Sequence, residues 1–401
     1  MRHLDLQMYC VDSLITRVVQ PFLRQGIHLL VVGLLIVLAS CASRPDETAA
    51  IRTITPQEAI DPNLIPTASS NTAYTSEDNR HTVLALSAGG ADGAYGAGVL
   101  AGWSASGERP TFDVVTGVST GALLAVFAFL GPEYDELVRE LYTTQTNQTI
   151  FRNRGLGAVF GDSLYDNAPF KAQIEKYVTP TVLRKVAEEY VKGRRLYVAT
   201  TNIDAGELVI WDMGKIALGG RTNPLQHFQK VLRASASVPG YFQPVYIKPK
   251  RGVQLRQAHV DGGVKEPILY ANFMGVSKEQ KRQLFMIING TTRRFNASTP
   301  VKANLASISR KTISELIREL QRETIYRHYV SSQNSGMDFF MTSIPDSIPI
   351  ADKTLDFDPV RMDRLYRAGL AEGLKGVEAW ARQPDISHVT RASSSTSAPQ
   401  E

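Results

Sequence analysis

The chain has 401 residues, 43% hydrophobic and 21% charged, which is the composition of an ordinary globular protein and excludes a disordered or fibrous one. Its formal charge of +5 is scattered rather than blocked, so no nucleic-acid stripe stands out, although mild attraction to an anionic membrane is compatible with it. The two cysteines, Cys10 and Cys41, exclude a disulfide scaffold.

At the N-terminal end, Arg17 and Arg24 precede an apolar run, Ile27 to Leu38, that is short for a membrane span and interrupted by His28 and Gly33. The run ends in Leu38-Ala39-Ser40-Cys41 and gives way to a polar, proline-containing stretch from Ala42 to about Arg80. This arrangement resembles a bacterial lipoprotein signal peptide, in which small residues precede a cysteine. The resemblance implies cleavage before Cys41 and a diacylglycerol on its thiol, with several acyl chains for stable anchoring, since one chain alone is marginal. Ala42 after the cysteine, rather than aspartate, leans towards the outer membrane of a bacterial envelope by the same resemblance. Met8 is an alternative start, and an uncleaved anchor helix with an incidental cysteine is the competing reading. The expected organisation is a signal peptide over 1–40, a tether over 41–80, a folded domain over 81–390 and a disordered Ser/Thr/Pro-rich tail over 391–401. Cys10 would then be discarded and Cys41 acylated, leaving no thiol for catalysis or metal binding.

The folded part begins with Thr82-Val83-Leu84-Ala85-Leu86-Ser87, an uncharged run of the kind that forms a strand buried on both faces. It leads directly into Ala88-Gly89-Gly90-Ala91-Asp92-Gly93-Ala94 and on to Gly96 and Gly98. A glycine-rich loop between strand and helix presents backbone N–H groups, either to a phosphate or to the oxyanion of an acyl transfer. Gly96-Ala97-Gly98-Val99-Leu100-Ala101 fits G-x-G-x-x-A but starts well after the strand ends, where a dinucleotide fingerprint begins at once. No G-x-x-x-x-G-K-[ST] occurs either. The second strand, Phe112 to Thr116, enters Gly117-Val118-Ser119-Thr120-Gly121 and then an apolar helix from Ala122 to Leu130. Such an elbow strains the serine and exposes its oxygen at the top of a sheet, while its glycines allow strand and helix to pack closely.

Leu137 to Tyr190 reads as helical, either covering the cleft or forming an outer layer. Strands follow at Arg195–Thr201 and Glu207–Trp211 around Asp204-Ala205-Gly206, then a helix from His227 to Ala236. Ala258-His259-Val260-Asp261-Gly262-Gly263 is a short strand delivering an aspartate into a glycine turn. A strand at Leu284–Asn289 and helices at Leu305–Tyr329 and Met362–Trp380 complete the chain. Strands alternating with helices predict an α/β fold: a three-layer α/β/α arrangement on a largely parallel sheet.

Serine needs a base to take its proton. The seven histidines form no triad arrangement downstream of the elbow and no metal-spaced pair, and no calcium loop is present. His259 shares the face of Asp261 on its strand and reads as structural. A carboxylate in a dry site can serve instead, and Asp261 is the natural candidate. The glycine loop, the elbow and Asp261-Gly262-Gly263, with Ala234-Ser235-Ala236-Ser237-Val238-Pro239-Gly240 between, together resemble the patatin-like phospholipase family over about Thr82 to Asn289. The resemblance implies Ser119 as nucleophile and Asp261 as general base of a Ser–Asp dyad. It also implies an oxyanion hole around Gly89, Gly90 and Ala91, with no metal or other cofactor. The expected substrate is a phospholipid or other lipid ester. The chain departs from the family at Ala88, where glycine is usual, and at Asp92, where arginine is usual, which bears on anionic head groups more than on the chemistry. Two alternatives remain open: a binding or scaffold lipoprotein on the same fold, and a triad esterase with His259 or His328 as base.

Overall fold

An uncharged run with no helical period can bury both faces only as a strand, and β1 (Arg80–Leu86) is buried from His81 onward. The structure, a computed structural model, describes residues 80–155, 161–219, 223–248, 256–271, 281–292, 300–301, 303, 305–348 and 354–385. The signal segment, Cys41, the tether up to residue 79 and the tail expected from the sequence lie outside the described residues. The chain divides into two units. The smaller is Met1–Ile51 with Arg154–Asp162, described only around the Arg154–Asp162 ion pair; the larger, Arg52–Asn153 with Ser163–Glu401, holds every feature below.

After β1 come a 3-10 turn (Gly90–Asp92), α1 (Gly93–Ala105), β2 (Val114–Val118), α2 (Thr120–Leu130), α3 (Asp135–Thr143) and α4 (Asn147–Ile150). A small ribbon, β3 (Arg152–Asn153) with β4 (Tyr165–Asp166), precedes α5 (Ala168–Tyr177) and α6 (Pro180–Val191). The hairpin β5 (Arg195–Asn202) and β6 (Glu207–Asp212) leads into α7 (Met213–Leu218), α8 (Pro224–Ser235), β7 (Val245–Ile247) and β8 (Gln257–Asp261). Then follow β9 (Lys281–Ile288), the long α9 (Leu305–Asn334), β10 (Asp338–Ser343) and α10 (Pro359–Leu374).

The main sheet has the order β10-β9-β1-β2-β5-β8-β7, with β6 also on β5. β10, β9, β1, β2 and β5 are parallel, whereas β6, β7 and β8 are antiparallel to their neighbours. Helices cover the sheet in the expected three layers. Two strands of the main sheet were not legible in the sequence, β7 with three residues and β10, whose Phe339-Phe340-Met341 sits between two helical patterns; nor was the ribbon of β3 and β4.

One detail of register positions the site. β6 occupies an edge of β5 over Tyr197–Asn202, so the other edge is shared. β2 holds it up to Ala199, opposite Val118, and β8 takes over at Thr200, opposite Asp261. The end of β2 and the end of β8 therefore meet on β5.

On one side of the sheet Trp103, Phe112, Phe285 and Trp380 form a tilted and edge-on aromatic cluster, with ring centroids 4.8–6.3 Å apart. There α1 and α10 touch backbone to backbone. A Cβ on Gly98 would lie 2.0 Å from Tyr366 O, and one on Gly369 would lie 2.0 Å from Tyr95 O, so both must be glycine.

Candidate active site

Ser119 caps the N-terminus of α2 with φ +56° and ψ −123°, the one non-glycine with positive φ among the described residues. Such strain costs on the order of 1–3 kcal/mol and persists only where the surroundings enforce it. The enforcement is visible. The Ser119 N–H donates to Ser235 Oγ at 3.0 Å, and the Ser235 hydroxyl donates to Ala199 O at 2.7 Å, tying the elbow to β5 through the end of α8. A Cβ on Gly117, next to the last residue of β2, would lie 2.3 Å from Gly121 O, and one on Gly121 would lie 2.4 Å from Leu86 O, so strand and helix meet without side chains. Ser235 was not singled out from the sequence; the run of small residues around it was the available signal.

Asp261 ends β8 and is 3% exposed. Its Oδ1 accepts the Gly263 N–H at 2.7 Å across the turn that starts at Gly262, and its own N–H donates to Ser237 O at 2.9 Å. Burial pushes the Asp261 carboxyl up to about 7, against the opposing effect of the Ser119 and Gly263 hydrogen bonds. A carboxyl with that proton affinity accepts a proton from a hydroxyl far more readily than an exposed aspartate does.

Of the three expected oxyanion donors, Ala91 has a backbone partner within the fold. The Ala91 N–H already donates to Thr354 O at 2.8 Å, a residue too remote in sequence to have been foreseen as its partner. Gly89 and Gly90 remain, the latter at φ +58°, and both line the same cavity as Ser119 and Asp261. The histidine alternatives are occupied elsewhere. His259 Nδ1 lies 2.9 Å from Thr200 Oγ1, and burial lowers the ring to about 4. His328 Nε2 lies 2.8 Å from Glu266 and 3.0 Å from Ile268 O.

Two hollows meet at Ser119. One is apolar, walled by Leu123, Tyr142, Ile150, Phe170, Ile174 and Phe242. The helices between Leu137 and Tyr190 thus line the cleft rather than only covering the sheet. The other is polar and includes Asn147, Asn289, Lys311, Arg318, Gln321 and Asp356. Among the described residues no group of three or more His, Cys, Asp or Glu is placed to hold a metal ion, and no helix is long and apolar enough to cross a membrane.

An elbow serine and a buried aspartate in one cavity, beside a glycine loop and an apolar hollow, are groups with the chemistry for acyl transfer from an apolar chain. Residues 84–273 match the family model described as patatin-like phospholipase. The chain carries a patatin-like phospholipase domain. Patatin-like lipases act on lipids, and this domain is that of a lipid hydrolase. Among curated proteins nothing matches. Among solved structures, VipD from Legionella pneumophila is similar at 13% identity and TM-score 0.41, over 76% of this chain and 67% of that one. ExoU from Pseudomonas aeruginosa, solved with SpcU, is similar at 14% identity and TM-score 0.26, over 75% of this chain and 54% of its own length.

Asp92, the departure inside the patatin loop, is buried and ion-paired with Arg361 of α10, whose guanidinium also donates to Asp356 O at 2.8 Å. Burial raises the Asp92 carboxyl to about 6, and Arg361 opposes that rise. The negative charge that the sequence places in the loop is therefore countered locally.

Proposed function

We propose that the protein is a membrane-tethered serine lipid acyl hydrolase working through a Ser119–Asp261 dyad. Ser119 Oγ attacks the ester carbonyl carbon as Asp261 takes its proton. The oxyanion forms against the Gly89 and Gly90 N–H groups, and the leaving alcohol departs with the proton from Asp261. Water, deprotonated by Asp261, then attacks the acyl-Ser119 ester, releasing the fatty acid and restoring the serine. The observation that supports this reading is the strained elbow serine at the end of β2 sharing one cavity with a buried aspartate at the end of β8, the two strand ends meeting on β5. The apolar hollow beside Ser119 suits an acyl chain. Tethering is proposed through a diacylglycerol on Cys41, to the outer membrane of a bacterial envelope.

The test is covalent labelling of the serine by a fluorophosphonate, read beside hydrolysis of lipid esters. Wild type is expected to be labelled and to turn over. Ser119→Ala should lose both, and Asp261→Asn should be slowed by about 100-fold or more, as expected for loss of a general base. Labelling or turnover that survives Ser119→Ala would overturn the assignment.

A further inference from the structure

The glycine loop is clasped by a side chain that belongs neither to it nor to the dyad. Asn289 directly follows β9, is 1% exposed and lines the cavity that holds Ser119, Gly89 and Gly90. Its Oδ1 accepts the Gly96 N–H at 3.1 Å, in the first turn of α1, and its Nδ2 donates to Ser87 O at 2.8 Å, just past the end of β1. One amide therefore bridges the two ends of the loop, with Gly89 and Gly90 between them. A donor on one side and an acceptor on the other fix which way round the amide sits. The Asn289 backbone N–H donates to Ser87 Oγ at 2.9 Å, which also accepts from the Gln321 amide at 3.2 Å. The loop backbone rests on the same residue, since a Cβ on Gly89 would run into the Asn289 carbonyl.

Ser87, Gly96 and Asn289 are all buried, where losing a partner leaves a backbone group unsatisfied rather than solvated. With the Ala91 N–H engaged by Thr354, the loop has the Gly89 and Gly90 N–H groups for an oxyanion, and backbone donors are aimed only as well as their backbone is held. We propose that Asn289 is a positioning residue, which holds the glycine loop in the conformation that presents the Gly89 and Gly90 N–H groups to the oxyanion. Its two amide bonds are to backbone and not to the dyad, so it acts on the tetrahedral state rather than on the base or on lipid binding. Asn289 lies beyond the residues 84–273 matched by the family model. This inference rests on the lipid hydrolase reading above.

The experiment compares full-chain wild type, Asn289→Ala and Asn289→Ser in hydrolysis of p-nitrophenyl decanoate, with fluorophosphonate labelling of Ser119 run in parallel. In Asn289→Ala kcat should fall about 10- to 100-fold, the scale of a reacting group displaced by on the order of 1 Å, with KM nearly unchanged. The pH midpoint of kcat/KM should stay at its wild-type value, because Asp261 is untouched. A decyl trifluoromethyl ketone forms a tetrahedral adduct as Ser119 Oγ adds to its carbonyl carbon and the serine proton passes to Asp261. Its affinity should fall by the same factor as kcat, while decanoic acid binds as to wild type. Asn289→Ser, whose hydroxyl can satisfy one end of the bridge but not both, carries the same test if the alanine variant does not fold. Thr82→Val is the stability control. It removes a buried hydroxyl bond to Asp113 Oδ2 (2.9 Å) at the far end of β1 from the loop, and should lower Tm while leaving kcat unchanged. A folded Asn289 variant with wild-type kcat overturns the positioning role while the hydrolase reading stands. So does a loss of kcat that Thr82→Val reproduces, or a loss that lies in KM or in the pH midpoint. Absence of both turnover and labelling in folded wild type removes the hydrolase reading itself, and the positioning role with it.

Discussion

Ser119 pays for its position in backbone strain, at φ +56° without being glycine. Ser119→Gly relaxes that strain without disturbing the Ser235 contact, which is made by the backbone N–H. It is expected to raise stability by about 1 kcal/mol or more in denaturant unfolding while abolishing turnover. Asp261 makes a second demand of the same kind. Its native carboxyl titrates near 7 against an ordinary 3.8, so between those values the native state holds a proton that the unfolded state has lost. Stability contributed by this group therefore falls as pH rises through that window. Asp92, raised to about 6, acts in the same direction over the lower part of it. Asp261→Asn should accordingly stabilise the fold above about pH 7, by on the order of a few kcal/mol, and give no gain below about pH 4. In wild type, kcat/KM should rise with pH through about 7 as the base ionises. A flat thermal-unfolding difference between the two proteins across that range would contradict the burial of a titrating Asp261.

At the scale of elements, the glycine loop is held from outside itself. The close contact of α1 with α10 brings Arg361 to Asp92, and the segment before α10 lays Thr354 O on the Ala91 N–H. Asn147 of α4 ties that segment again, accepting the Phe357 N–H at 2.9 Å. Arg361→Gln leaves Asp92 buried without its counter-ion, and loss of about 3–5 kcal/mol is expected in thermal or denaturant unfolding. Adding Asp92→Asn should recover most of it, since a neutral pair needs no counter-charge. A single variant as stable as wild type would show that the pair does not hold the loop. In the sequence Asp92 stands only as a negative charge where the family usually carries arginine. The compensating arginine lies on α10, far along the chain, and nothing local in either segment announces the pairing.

At the scale of the whole chain, the hydrolase domain and its proposed attachment are separate problems. Residues 84–273, apart from Arg154–Asp162, lie in the larger unit, and Cys41 falls outside the described residues. If Cys41 carries acyl chains, cells expressing the protein should incorporate labelled palmitate into it. Cys41→Ala should abolish incorporation and shift the protein from the membrane pellet to the soluble fraction. Incorporation that persists in Cys41→Ala would refute this anchor without touching the dyad. The family region was legible because its signals are local: a charge-free strand, a turn that only glycines fit, and an aspartate delivered into Gly262-Gly263.

The sequence by itself determined the strand–elbow–helix unit at Ser119, the glycine loop and the strand ending at Asp261, because steric and hydrophobic patterning act over a few neighbouring residues. Only the tertiary structure decided that β8 takes over the edge of β5 where β2 leaves it, bringing Asp261 to Ser119. It likewise decided that Ser235 braces the elbow, that Ala91 is engaged by Thr354, and that Arg361 answers Asp92. Each of these joins groups remote in the chain, and a buried polar group selects its partner only when packing has removed water as the alternative.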